Sequence, residues 1–185
     1  NRGGAAHGGA GGTADGGANP QSTTYGTSTS PALLGSGGAG TGNANDHGGN
    51  GGGLIRLDVS GTLTVSGSIK SDGANAPVSG NGGGGGGSGG SIFIKAGTLT
   101  GSGTITANGG NGYDYGGGGG GGRIAVYYTT LSTFGLASIT ATKGGKGAQP
   151  AAATGENGMT FILDRLTDDG IGNLRITSGL DFVNG

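Results

Sequence analysis

Runs of consecutive glycine restrict this chain more than any other feature. Seven glycines stand in a row at 116–122, NGGGGGGSGG fills 81–90 and GGNGGG fills 48–53. Such segments are poor α-helix, since each glycine is about 1 kcal/mol worse there than alanine. They also bring no side chains to a core. Ordering a backbone costs about 1 to 2 kcal/mol per residue, and most of all for glycine, so the 54 glycines oppose folding by roughly 50 to 100 kcal/mol. With 30% hydrophobic residues and no Trp, side-chain burial has little to set against this. Backbone hydrogen bonding has to carry an unusual share.

Only four prolines and no strict Gly-X-Y period rule out a collagen helix. A flexible linker would lack the apolar runs LIRLDV, SIFIKA, RIAVYY and TFILDR that stand between the glycine tracts. The tracts themselves read in one of two ways: as loops, or as polyproline-II-like helices of three residues per turn, packed side by side. Bare backbones can approach closely enough to bond laterally. The second reading supplies the stabilisation that composition withholds.

From residue 50 onward the chain repeats. Aligning GGGLIRLDV, GGSIFIKA, GGRIAVYY and GMTFILDR superposes Ile55, Ile92, Ile124 and Phe161, in steps of 37, 32 and 37. A second beat, in TLTVSGSIKSDG, TLTGSGTITANG and LASITATKGG, superposes Ile69, Ile105 and Ile139. Each unit is therefore strand, turn, strand, glycine tract. Alternation in the first strand of each unit places Ile55, Leu57 and Val59, then Ile92, Ile94 and Ala96, then Ile124, Val126 and Tyr128, then Phe161 and Leu163 on one core face. The opposite face mixes Arg56, Asp58 and Lys95 with Phe93, Tyr127 and Ile162, so a covering glycine layer is expected there.

These patterns predict an all-β fold of repeated short strands, either a β-solenoid or a layered β-sandwich, with a polyproline-II-like glycine layer and essentially no α-helix. Ser-Gly within DVSGTLTV and TGSGTI leaves an antiparallel hairpin topology open. Three segments follow: a glycine-rich stretch at 1–53 that packs on or caps the repeats, the repeat domain at 54–165, and a C-terminal strand segment at 166–185. In the last, Leu174, Ile176, Leu180 and Phe182 alternate after the polar break LTDDGIG, a pattern suited to pairing between subunits.

The repeats GGGSGGSIFIKAGTLTGSGTITANGGNG and GGGGGGRIAVYY resemble the glycine-rich modules of large bacterial extracellular and surface proteins. They are more loosely similar to the polyglycine regions of phage tail-tip adhesins. The resemblance covers about residues 45 to 165. It implies export and a structural or adhesive role, and brings no catalytic residues with it.

Side-chain chemistry is sparse. The chain has two histidines, one glutamate, nine aspartates and no cysteine, so thiolate metal sites and disulfides do not arise. Asp46 and His47 are adjacent, and in an extended chain their side chains point apart. Within GGNGYDYGG, residues 109–117, Asp114 falls where a calcium-binding nonapeptide places its ligand, but the motif occurs once and Gly116 fills its large apolar position. TKGGKGA lacks the GK[ST] ending of a phosphate loop, and no GxSxG elbow occurs. No enzyme activity and no cofactor are expected, Asp114 with calcium being the one candidate.

Nine basic against ten acidic residues leave no electrostatic footprint for nucleic acid. No stretch approaches 18 apolar residues, so membrane insertion is not expected. A start at Asn1 without a leader fits a processed, exported protein or an excised fragment. Tyr113 and Tyr115 flank the longest glycine run, either as a platform for a sugar ring or as closure of the glycine layer. The expected role is an extracellular structural subunit that assembles with copies of itself into a fibre. The alternative is an adhesin module that binds a surface glycan or host receptor through Tyr113, Tyr115 and Tyr25.

Overall fold

A computed structural model describes residues 2–17, 23–41, 47–78, 82–164 and 173–175. Its strands are β1 (Leu54–Thr64), β2 (Ser68–Lys70), β3 (Ser91–Thr100), β4 (Thr104–Thr106), β5 (Arg123–Leu131), β6 (Ile139–Thr140), β7 (Met159–Asp164) and β8 (Asn173–Arg175). The helical content of the described residues is one 3-10 turn, Leu136–Ser138. The chain winds as a β-solenoid: β1-β3-β5-β7-β8 form one sheet and β2-β4-β6 the other. Every pairing is parallel except that of β8 on β7.

Like residues stack from turn to turn. Ile55, Ile92 and Ile124 are in register, as are Ile69, Ile105 and Ile139. Between the two sheets Ile92, Ile94, Leu99, Ile105, Ile124 and Val126 are fully buried. The Ser-Gly of DVSGTLTV forms no hairpin. β1 runs straight through it, with a register shift between Val59 and Thr62.

The fourth turn corrects the repeat alignment. Phe161 stands opposite Ala125 rather than Ile124, a step of 36, so Thr160 and Ile162 face the core and Phe161 and Leu163 face out. A one-residue slip moves every side chain to the other face. Packing selects this register: Ile162 is fully buried opposite Val126, while the Phe161 ring lies 5.6 Å from that of Tyr127, itself 5.5 Å from Phe93. Three aromatics thus step across the outer face, with the Arg56 guanidinium over Phe93.

Each glycine tract leads into a long strand and bonds laterally with a three-residue period. In 116–122, Gly117 and Gly120 donate to Arg2 and Ala5, Gly118 and Gly121 to Ala153 and Glu156, and Gly119 and Gly122 to Gly110 and Ala107. The same tract accepts from three further segments: Gly86 and Gly89, Gly9 and Gly12, and Gly144 and Gly147. Six neighbours surround one backbone. The tract at 82–90 is bonded likewise, donating to Ala39 and Ser36, to Gly117 and Gly120, and to Ala74 and Ser71. This is the bonding of side-by-side helices with three residues per turn. The segments at 2–15, 35–39 and 49–53 are members of the same bundle, bonded to the later turns.

The glycine bundle continues the strands end to end instead of covering the outer sheet face as the sequence suggested. What crosses that face is the segment 25–33. Three side chains clamp it by donating to its carbonyls: Arg123 Nε to Tyr25, Tyr127 hydroxyl to Thr29 and Ser91 hydroxyl to Leu33. On the other flank, Asx side chains tie successive turns together. Asp72 accepts the Asn108 N–H and Asn108 that of Thr142, while Asn75 accepts the Asn111 N–H and Asn111 that of Gly145.

Substitution at two glycines separates lattice from surface. A Cβ on Gly119 would overlap the Gly87 carbonyl, whereas one on Gly53 meets nothing within 4 Å. Gly119→Ala should lower stability by more than about 3 kcal/mol, as backbone overlap in a packed interior does. Gly53→Ala should raise it by about 0.4 to 1 kcal/mol by restricting the unfolded chain. Thermal melts followed by circular dichroism would read both; equal effects would contradict the bundle.

Candidate functional site

Two places gather polar side chains. The first lies where the N-terminal glycine segment meets β5. His7 is fully buried, its Nδ1 2.9 Å from the Gly89 carbonyl, so that nitrogen carries the proton and donates it. Its Nε2 is buried without a partner. The ring tilts against Tyr25, centroids 4.7 Å apart. Arg123, also buried, donates through Nε to the Tyr25 carbonyl at 2.8 Å and touches the Met159 sulfur. It forms no ion pair with a carboxylate among the described residues.

Burial pushes the His7 pKa below its usual value, and the Arg123 charge adds to the effect against the opposing pull of the Gly89 and Gly90 carbonyls. Protonation would set a second buried cation beside the guanidinium, with no acceptor for the new N–H. Sequence reasoning missed this cluster, because His7, Tyr25 and Arg123 are spread over more than a hundred residues and only the glycine bundle brings them together.

The second place is the turn at the far end of the longest glycine tract. Gly116 N–H bonds to the Tyr113 carbonyl at 2.8 Å, closing a turn in which Asp114 takes φ +50°. Aspartate tolerates that left-handed conformation better than most residues. Its Oδ1 accepts from Gln149 Nε2 at 2.9 Å, and its carbonyl accepts from the Gln149 N–H. Asp114 is thus engaged in joining two turns, and no group of three or more His, Asp or Glu residues converges as a metal site among the described residues. Tyr115 is stacked under the Arg2 guanidinium, 5.0 Å from the ring centroid. Tyr113 borders an open cleft that Asn111, Asp114, Lys146 and Ala148 also line.

Of the other predicted residues, His47 is exposed, and Asp46 lies outside the described residues. Leu174 belongs to β8 and pairs with Leu163 of its own chain. Ile176, Leu180 and Phe182 fall outside the described residues. No helix of the described residues is long and apolar enough to cross a membrane. Neither a family model, nor a curated protein, nor a solved structure matches this chain.

The His7 cluster makes stability depend on pH with a definite sign. Above the unfolded histidine value of about 6.5 both states are neutral there and the contribution is complete. Below it the unfolded chain binds the proton more readily, so stability is lost as pH falls towards the lowered folded pKa. Stability in denaturant melts of the native chain should therefore fall as pH drops below about 6.5, and His7→Asn should flatten that slope. An unchanged slope in the variant would assign the pH response to other groups.

Proposed function

We propose that this chain is a structural module of an extracellular fibre or surface coat that assembles with copies of itself by β-strand addition. The observation that carries this reading is the asymmetry of the large sheet's two edges. At one end β8 folds back over β7; at the other, β1 offers eleven residues of strand with no neighbouring strand on one side among the described residues. An open edge of that length is a template for another chain.

The rest of the molecule is in keeping with a passive, load-bearing element. Its glycine segments are bonded laterally mainly through backbone. Each added turn would contribute one long strand, one short strand and two glycine segments in the same pattern. Export agrees with the resemblance to glycine-rich bacterial surface modules. Leu174 already pairs at home, so β1 is the more available edge for strand addition than the tail is for donation.

A receptor-binding role has one observation in its favour, the open cleft beside Tyr113, with Asn111, Asp114 and Lys146 around it. Negative-stain microscopy of the purified chain distinguishes the two. Long uniform fibres are the expected result. Discrete particles that bind a glycan array, and lose that binding in Tyr113→Ala, would replace the fibre reading with the adhesive one.

A further inference from the structure

The open edge carries more than its length. Natural edge strands are blunted by brevity, proline, lysine or an early bulge. β1 has eleven residues, neither proline nor lysine, and its register shift comes only after Val59. Its core-facing Ile55 and Leu57 remain partly exposed, whereas their neighbours on β3, Ile92 and Ile94, are fully buried. On the outer face Arg56 and Asp58 stand exposed two residues apart, with opposite charges.

We infer that β1 pairs with β1 of a second copy, antiparallel and centred on Leu57. This rests on the strand-addition reading and narrows it to one edge, one register and one symmetry. A two-fold axis at Leu57 sets Arg56 opposite Asp58 of the second copy, and Asp58 opposite its Arg56. It sets Ile55 opposite Val59 and Leu57 opposite itself. Directly opposed residues share a face with Cβ atoms about 4.5 to 5.5 Å apart, so both charge pairs and all the apolar pairs meet like a key cut to its own shape. Asp58 already lies 3.9 Å from Lys95 Nζ and Arg56 over the Phe93 ring, so the new pairs extend existing contacts instead of breaking them.

A parallel strand continuing the solenoid fits less well. Extended in register, a β7-like strand would set Phe161, Ile162 and Leu163 against Arg56, Leu57 and Asp58, adding no opposite charge across from Arg56 or Asp58, and β8 already occupies β7 at 162–164. The antiparallel pair uses the edge of both copies and leaves β8 in place. Being isologous, it closes on itself, and fibres would grow from such pairs through another contact.

Charge reversal tests the register. Sedimentation of the full chain should show a dimer. Arg56→Asp and Asp58→Arg, each opposing like charges at two places, should weaken it by about tenfold or more, and an equimolar mixture of the two variants should recover a heterodimer. The chain has no cysteine, so Leu57→Cys is a clean probe that should form a disulfide-linked dimer under mild oxidation, the opposed Cα atoms lying within bridging range. Melts of each variant establish that it is folded. If Arg56→Asp unfolds through loss of cover on Phe93, Asp58→Arg and the Leu57→Cys link decide. A monomeric native chain, single reversals that dimerise as well as the native chain, or no link through Leu57→Cys would overturn the pairing. Fibres built from monomers would remove the two-fold pair but keep the assembly reading; dimers without fibres would do the reverse.

Discussion

A backbone bonded on six sides has nowhere to put a side chain. That constraint at 116–122 and 82–90 governs the rest of the molecule. It demands glycine at nearly every tract position, which removes the hydrophobic area from which most domains draw stability. It also requires neighbours on all sides, so segments far apart in sequence must converge. Glu156 donates to Ala10, Ala5 to Gly86 and Gly118 to Ala153. The first segment of the chain is completed by the last turn. Such contacts are non-local almost throughout, which places the fold with slowly assembling topologies.

The β half and the glycine half solve different problems. In the sheets, stacked isoleucines fill a narrow interior and set the register. Within a run of bare glycine such as 116–122 no side chain is present to set a register, and a three-residue period can slip by a whole turn without changing its hydrogen bonds. The strands that follow Gly90, Gly122 and Gly158 supply the missing phase. The Asx bridges from Asp72, Asn75, Asn108 and Asn111 fix it again on the returning side. Order in the glycine layer is thus borrowed from residues at its ends.

Whether the strands stack as a parallel solenoid or pair as hairpins was left open by the Ser-Gly of DVSGTLTV and TGSGTI. The all-β repeat, its two strand beats and the lateral packing of the glycine tracts were legible, because in-register stacking repeats the same residue at the same place. The fourth turn was not. In GMTFILDR three apolar residues are consecutive, so alternation alone allows either face, and the aromatic stack on Tyr127 decides it. The 25–33 strap was unreadable for another reason: its side chains say little, and it is held through its carbonyls by Arg123, Tyr127 and Ser91. Carbonyls leave no trace in a sequence. The buried His7 was hidden likewise, since a histidine between alanine and glycine reads as solvated until the bundle closes over it.

The six-neighbour bundle also changes how this protein should respond to temperature. The heat capacity of unfolding comes from newly hydrated apolar surface, and polar peptide surface contributes with the opposite sign. A domain that hides mostly peptide groups therefore has a small heat-capacity increment for its length. Its free-energy curve against temperature is correspondingly flat, with cold denaturation displaced far below freezing. The melting enthalpy, carried by hydrogen bonds, then changes little between a cold habitat and a warm one. Such a fold keeps a nearly constant stability over a wide thermal range without any thermophilic adaptation of its side chains.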